Sequence, residues 1–248
     1  MDRCVSSERS NLVLSTLSAS IVGVGDASGE FDWASLKRVV RGDGEIIKPD
    51  DAIAPLDASY IDVANSRAGP IVAAAHTRHP GWTTTYVFAF ARANGDRQAT
   101  FLPAALGYDG PVYAYNAFDQ RGVYRQRGEE VAFVAPEDGT YWIVVPVGPS
   151  GVGFLGDADK LVSNGRKRIA QIADSGTLTA RIVLSAGESR LRLHGFSLTR
   201  PEVRAVGATI ENLTYDSQMQ HFHLDLVARP GSSPVVTFKA SKNGAGRG

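Results

Sequence analysis

Histidines on strand-like sequence are the residues of this chain whose spacing first suggests chemistry. His221 and His223 are two residues apart in the segment QHFHLDLVAR, so both side chains should point to the same face of a strand, as metal ligands do. A third ligand would have to be His76, His79, His194 or a distant carboxylate. Because apolar residues alternate with the pair, a polar sheet face above a core explains the pattern more simply. We therefore predict no metal and no cofactor.

Aromatic side chains crowd the segment between residues 82 and 142, and such rings can stack on the apolar faces of sugars when they are exposed. The cluster contains Trp82, Tyr86, Tyr113, Tyr115, Tyr124, Tyr141 and Trp142. Core packing is the usual role of aromatic residues in a β-sandwich, and that alternative stays open. If the protein binds a glycan, the candidate contacts on this segment are Trp82, Tyr113 and Tyr115, with His76 and His79 in the loop-like sequence AAAHTRHPGW.

Three further patterns are weak indicators of function. The spacing of Gly23, Gly25 and Gly29 is one residue longer than a dinucleotide fingerprint, and no second βαβ half follows, so a tight loop explains these glycines. Asp157 and Asp159 lack the further oxygen ligands of a calcium loop, which favours a solvated turn. Ser150 lies in G-x-x-S-G, which is not a nucleophile elbow. No catalytic residue is assigned.

The secondary structure predicted for the segments that carry these residues changes along the chain, from helical to strand. Helical spacing predicts a helix over Ser6 to Leu17 and a second helix capped by Asp32, with Lys37, Arg38 and Arg41 facing water. An apolar strand, SIVGVG, lies between them, and a loop follows. From about Tyr60 the period becomes two, and Asn-Gly and Asp-Gly turns separate about a dozen short strands.

This pattern predicts a mainly β fold, an antiparallel β-sandwich preceded by a short α/β (helix-strand-helix) segment. The predicted boundaries are 1–58 for the α/β segment and linker, 59–241 for the sandwich and 242–248 for a flexible tail. Lys and Arg number 26, as do Asp and Glu, so no basic face for nucleic acid is expected.

Membrane association and covalent cross-linking are not expected either. No long apolar run predicts a transmembrane helix, and the N-terminus lacks the pattern of a signal peptide. The single cysteine, Cys4, cannot form an intramolecular disulfide. The localisation stays unknown, with the cytoplasm as the default expectation.

The segment SASIVGVGDASGEFDWASLKRVVRGDGEIIKPDDAIAPLDASYI resembles the end of the catalytic barrel in the raffinose synthase and alkaline α-galactosidase family of glycoside hydrolases. The matching positions are Ser20 to Asp26, Gly29, Leu36, Lys37, Val40, Asp43, Gly44, Ile46, Ile47, Pro55 and Asp57. The following sequence, up to Gly81 and Trp82, resembles that family's entry into its C-terminal β domain. The resemblance covers about the first 80 residues; beyond them only the strand pattern is similar.

The resemblance implies a carbohydrate partner, an oligo- or polysaccharide, but not hydrolysis. In that family the two catalytic carboxylates lie on earlier barrel strands, upstream of anything in this sequence. Asp26 is the one position at the substrate end of the barrel that this chain retains, where barrel sites lie. Glycosidases ordinarily need a pair of carboxylates at a defined separation. The leading hypothesis is therefore an accessory β-sandwich that binds or supports glycan recognition; the alternative is a self-sufficient hydrolase with an unfamiliar site.

Loss of barrel neighbours would leave apolar faces on the first helix and on the strand that follows it. A large exposed apolar patch is a liability in a folded protein. We therefore expect either a homo-oligomer through the N-terminal segment or a helix that folds back on the sheet.

Overall fold

A computed structural model describes residues 5–20, 32–92, 95–229 and 231–241 of the chain. Strands make up 47% of the structure and helices 12%, and all the described strand pairs are antiparallel. The prediction of a mainly β, antiparallel fold is thus confirmed.

A six-stranded sheet occupies the first half of the β region. Its spatial order is β1 (Ala54–Pro55), β2 (Ile71–His79), β3 (Trp82–Phe90), β8 (Thr140–Pro146), β5 (Val112–Asn116) and β6 (Arg121–Arg125). Because successive side chains on a strand point to opposite faces, β3 directs Tyr86 and Phe88 into one core and Val87 and Ala89 into another. Both faces of this sheet are therefore covered, and its aromatic residues are mostly interior.

The second core lies beneath a small two-stranded sheet. β4 (Arg97–Phe101) pairs with β7 (Val131–Ala135), and a 3₁₀ turn at Pro103–Leu106 follows β4. The rings of Phe133 and Trp142 lie 5.3 Å apart across this core. Neither β4 nor a strand at residues 152–157 is expected from the sequence pattern.

Two four-stranded sheets form a sandwich in the second half of the chain. One has the order β14 (Ala208–Asp216), β15 (His221–Ala228), β12 (Arg190–Ser197) and β9 (Val152–Asp157), and the other β10 (Ile169–Asp174), β11 (Leu178–Ile182), β16 (Val235–Ala240) and β13 (Pro201–Val206). Phe238 joins them, with its ring 5.2 Å from Phe154 and 5.5 Å from Phe222. The sequence pattern treats β13 and β14 as one strand, but Gly207, at φ +79°, directs the chain from one sheet to the other.

The first helix packs against this β framework, whereas the second buries no side chain. α1 (Val5–Leu17) buries Val13 and Leu17 completely in the main core, so the helix folds back on the sheet; self-association stays a prediction. Asp32 caps α2 (Trp33–Lys37) as predicted, accepting hydrogen bonds from the amides of Ala34 and Ser35 at 3.0 and 3.2 Å. The predicted strand between these helices lies outside the described residues.

A third helix, α3 (Asp57–Ala64), occupies sequence where the pattern predicts a change to strand period at about Tyr60. That prediction is wrong for residues 60–64. Tyr60, Ile61 and Val63 of α3 are exposed, and Ser59 alone is buried, accepting a hydrogen bond from the Val72 amide at 3.0 Å. The helix therefore lacks the amphipathic spacing that would identify it. No described helix combines the length and the apolar character that a membrane crossing requires.

A completely buried arginine links the two four-stranded sheets of the sandwich. Arg168, at 0% exposure, places Nε 2.9 Å from Oδ2 of Asp157, an ionic contact that is not aligned as a hydrogen bond. Its Nη1 and Nη2 donate to the two carboxylate oxygens of Glu188 at 2.6 and 2.9 Å, and Nη1 also donates to the Val183 carbonyl at 3.1 Å. Asp157 thus ends a buried strand, which corrects the predicted solvated turn at this residue.

The charges in this network affect each other strongly because water is excluded. Burial raises the pKa of Asp157 to about 6, since the loss of hydration outweighs the attraction of Arg168. Burial alone would also raise the pKa of Glu188, but hydrogen bonds from Arg168 and Ser185 hold it below its usual value. Glu188 is consequently an ionised partner of Arg168.

Replacing Arg168 should strongly destabilise the protein. Arg168→Met leaves Asp157 in the interior without its cation, and removing one partner of a buried ion pair costs about 3 to 5 kcal/mol. The free energy of unfolding from urea denaturation measures the loss. Arg181→Met, on the exposed side of β11, is the matched control and should change stability by less than about 0.5 kcal/mol. Equal losses in the two variants would contradict this role of Arg168.

Candidate functional site

A polar cleft lies where α1 and α2 meet the β framework. Its volume is about 660 Å³, within the range of roughly 300 to 1,000 Å³ common for small-molecule sites. Arg9 of α1, Lys37 of α2, Phe118 after β5 and Lys160 after β9 contribute to its walls. Segments far apart in the sequence thus come together in one concave surface.

The turn that carries Phe118 is organised by one buried amide. Asn116 Oδ1 accepts hydrogen bonds from the amides of Phe118 and Asp119 at 2.9 and 3.1 Å. Its Nδ2 donates to Oδ2 of Asp119 at 2.7 Å and to Oγ1 of Thr140 at 3.0 Å. Asparagine side chains stabilise turns in this way, and Gln120 completes the turn at φ +55°. The Phe118 ring is therefore held by well-defined local structure.

The opposite wall depends on the buried network around Arg168. Asp157 accepts a hydrogen bond from the Asp159 amide through Oδ1 at 3.0 Å, which folds the chain back after β9. Lys160 then donates from Nζ to the Lys37 carbonyl at 2.5 Å. The Tyr141 hydroxyl donates to the Leu161 carbonyl at 2.6 Å, which ties the same segment to the central sheet.

Cations dominate the charged groups of the cleft. The Arg9 guanidinium lies 3.4 Å from the centre of the Phe118 ring, a cation–π arrangement. Arg41 is neutralised by Asp43 at 2.5 Å and Glu45 at 3.1 Å. Burial lowers the pKa of Lys160, which nearby carboxylates only partly oppose.

Trp82 and His79, two predicted contact residues, lie in the interior. The Trp82 side chain is in the main core and the residue is 3% exposed. His79 is also buried, and its Nε2 lies 3.1 Å from the Asn164 carbonyl; because a carbonyl can only accept, Nε2 carries the proton. Burial lowers the pKa of His79. Their roles in ligand binding stay predictions, and both side chains are covered by protein in this conformation.

His76 lies nearer the surface, in an ion-pair cluster on β2. Its Nδ1 is 3.1 Å from Oδ2 of Asp51, and Nη1 of Arg78 is 2.7 Å from the same oxygen. The His76 amide donates to Oδ1 of Asp51 at 2.5 Å, and the Asp50 amide donates to the His76 carbonyl at 2.7 Å. His76 thus joins the linker after α2 to the central sheet. Asp26, another predicted contact, lies outside the described residues.

Tyr113 and Tyr115 meet two histidines at the junction of the central sheet and the sandwich. Tyr113, 1% exposed, stacks on Phe196 with ring centres 4.6 Å apart. Its hydroxyl is 3.3 Å from Nδ1 of His221. Tyr115 stacks on the His221 ring at 4.9 Å, and the His194 ring lies 5.4 Å from that of His221. The structure therefore brings predicted residues together, in a largely buried junction.

The histidines of this junction are held in the neutral form. Burial, with repulsion from His223, lowers the pKa of His221 to about 4. Burial also lowers the pKa of His194 well below its usual value, and its Nε2 has no hydrogen-bond partner. In the described part of the chain, no three His, Cys, Asp or Glu side chains converge as ligands for a metal ion.

The cleft itself is not identified by the sequence interpretation. The pattern predicts Lys37, Arg38 and Arg41 on the water-facing side of a helix, but gives no reason to join them to Phe118 or Lys160. The available signal is a cluster of cations at the end of α2 followed by the Arg41–Asp43 pair. Spacing along one segment cannot show which distant turns face it.

Comparisons with known proteins give little further guidance. No protein-family model and no curated protein matches the chain. A solved structure from Bacillus halodurans C-125, of a protein provisionally named an α-N-acetylgalactosaminidase, matches with 18% identity and a TM-score of 0.26. The match covers 31% of this chain and 18% of that one. Part of the chain thus bears a weak likeness to part of a glycoside hydrolase structure. A likeness this low carries no argument about function.

Acid should destabilise the protein through the histidine junction. His221 has a folded-state pKa of about 4 against an ordinary value of 6.5, so unfolding takes up a proton between these pH values. The associated stability is complete above about pH 6.5 and is lost as the pH falls towards 4, an effect of about 3 kcal/mol. Urea denaturation at pH 7 and pH 4 should show a smaller acid-induced loss for His221→Gln than for the wild type.

His223→Gln is the matched control, because His223 lies on the same strand with an exposed side chain. It should keep most of the wild-type pH dependence, because burial, the main cause of the lowered His221 pKa, is unchanged and only the smaller repulsion from His223 is removed. If the wild type and His221→Gln lost the same stability between pH 7 and pH 4, protonation of His221 would not be the cause of the acid-induced loss.

Proposed function

We propose that this protein is a carbohydrate-associated accessory module, related to glycoside hydrolases of the raffinose synthase and alkaline α-galactosidase type. In this proposal it binds a saccharide in the cleft between the N-terminal helices and the β framework and does not cleave it. The observation that carries the proposal is the cleft itself, in which an aromatic ring and several polar side chains face one concave space.

A saccharide suits this surface because sugar rings combine apolar C–H faces with hydroxyl groups that donate and accept hydrogen bonds. The Phe118 ring and the planar Arg9 guanidinium stacked on it form a flat surface against which such faces can pack. Gln120 can donate and accept, Asp159 can accept, and Lys37 can donate. These groups are all among the side chains that line the cleft.

The carboxylates of the cleft support binding more than hydrolysis. Among the described residues, Asp159 and Glu188 are the acidic side chains that line it. Both oxygens of Glu188 accept hydrogen bonds from Arg168, which stabilises the ionised form and opposes a role as proton donor. Asp159 alone would not provide the acid and the second carboxylate that glycosidases ordinarily use.

Phe118→Leu should weaken saccharide binding while retaining most of the apolar volume. Loss of the flat ring and of its contact with Arg9 should reduce affinity by about tenfold, which corresponds to about 1.4 kcal/mol. The measurement is a glycan array with the full chain, followed by calorimetric titration of the glycan that binds best. Leu102→Ala, at an exposed apolar site outside the cleft, is the control and should bind like the wild type.

Binding of no glycan at all would overturn the proposal. Release of sugar from α-galactosides or plant polysaccharides above a boiled control would overturn its non-catalytic part and support the alternative, a self-sufficient hydrolase. Asp159→Asn should then be tested first, because Asp159 is the cleft carboxylate that Arg168 does not hold.

A further inference from the structure

The cleft contains more positive charge than its own carboxylates neutralise. Arg9, Lys37, Arg38 and Lys160 all line it, and none of them forms a salt bridge with a carboxylate in the described part of the chain. The Lys160 ammonium instead donates to a backbone carbonyl, that of Lys37. Four cations thus share one concave surface.

The carboxylates in and around the cleft offset these cations only in part. Glu188 is already paired with the buried guanidinium of Arg168. Asp159 is near Lys160, but its charge also acts on Arg192 outside the cleft. Because Arg41 is itself paired with Asp43 and Glu45, the described groups leave a net positive field.

Like charges in this cleft also oppose each other. Burial, together with repulsion by Arg38, lowers the pKa of Arg9, although Asp119 and Asp138 partly counter the effect. A bound anion would relieve this repulsion, and guanidinium groups bind planar or tetrahedral oxyanions through paired hydrogen bonds. Clefts lined with charge of one sign also focus the field on the ligand.

We infer that the cleft selects an acidic saccharide, one that carries a carboxylate or sulfate group, over its neutral counterpart. The anionic group would lie between Arg38 and Arg9, and the sugar ring would lie against the stacked pair of Arg9 and Phe118. This inference rests on the proposed function, because it specifies the class of saccharide for the same cleft. The buried junction of Tyr113 and Tyr115 with His194 and His221 has no part in this inference.

Calorimetric titration of the full chain with four probes tests the inference. The probes are a galacturonic acid trimer, a sulfated galactose trimer, the neutral galactose trimer and sodium sulfate. The wild type should bind at least one acidic trimer about tenfold or more tightly than the neutral trimer. Raising the ionic strength from about 0.02 M to about 0.15 M should reduce this preference, since salt screens partly exposed charges.

Arg38→Gln should lower the affinity for the acidic trimer by about tenfold and the affinity for the neutral trimer by a much smaller factor. Arg181→Gln is the matched control, because Arg181 is an exposed arginine on β11, outside the cleft. Circular dichroism and the unfolding midpoint establish that the variants remain folded. Lys37→Gln, in an exposed position at the end of α2, gives a second test if Arg38→Gln fails to fold.

The outcomes separate the inference from the proposed function. Equal binding of acidic and neutral trimers, or an acidic preference that survives both cleft substitutions, would overturn the inference while the proposed function stands. Binding of sodium sulfate alone, with no saccharide bound, would overturn both and leave a simple anion site. Binding of no probe would overturn the inference, and the glycan array would then decide the proposed function.

Discussion

The buried guanidinium of Arg168 is the constraint on which the second half of the molecule depends. A cation can remain in a dry interior only if its charge and its donors are satisfied. Asp157 at the end of β9 and Glu188 before β12 balance its charge. Glu188 and the Val183 carbonyl accept hydrogen bonds from Nη1 and Nη2, while Nε makes only the ionic contact with Asp157. Each of these groups belongs to a different part of the sandwich, so the pairing fixes where β9 ends, how the chain turns at residues 184–189 and where β10 begins. The segment that carries Asp159 and Lys160 is therefore positioned by a buried interaction, one member of which, Glu188, also lines the cleft.

The other wall of the cleft is attached to the central sheet by equally local means. Val13 and Leu17 anchor α1 in the core, and the Ile53 amide donates to the Leu17 carbonyl at 2.8 Å. The linker then follows β2, with the Arg78 amide donating to Oδ2 of Asp50 at 2.8 Å. As a result, the polar side chains that line the cleft belong to segments that are anchored by buried apolar residues. Binding surfaces of this type combine loop side chains with a rigid scaffold.

Some of this architecture could be predicted from the sequence, and the reasons for the successes and failures are physical. β2 and β3 are long, β3 is rich in β-branched and aromatic residues, and the Asp32 cap is a local hydrogen-bond pattern. α3 escapes prediction because its apolar side chains are exposed. The pairing of Asp157 with Arg168 depends on a turn that brings the two together, and no periodicity encodes it. The residues that line the cleft are spread from position 9 to position 188. The sequence shows that these charged residues exist, but it does not show that they lie on one surface.

The connection between β13 and β14 at Gly207 has a consequence for how the sandwich unfolds. β13 belongs to one sheet and β14 to the other, and a single residue connects them. The Gly207 carbonyl is held on both sides, accepting from the Arg229 amide at 3.0 Å and from the Ser232 hydroxyl at 2.6 Å. Because the connection is one residue long and hydrogen-bonded, a displacement of one sheet would also displace the strand that the connection joins in the other sheet. We therefore expect the two sheets of the sandwich to unfold together as one cooperative unit.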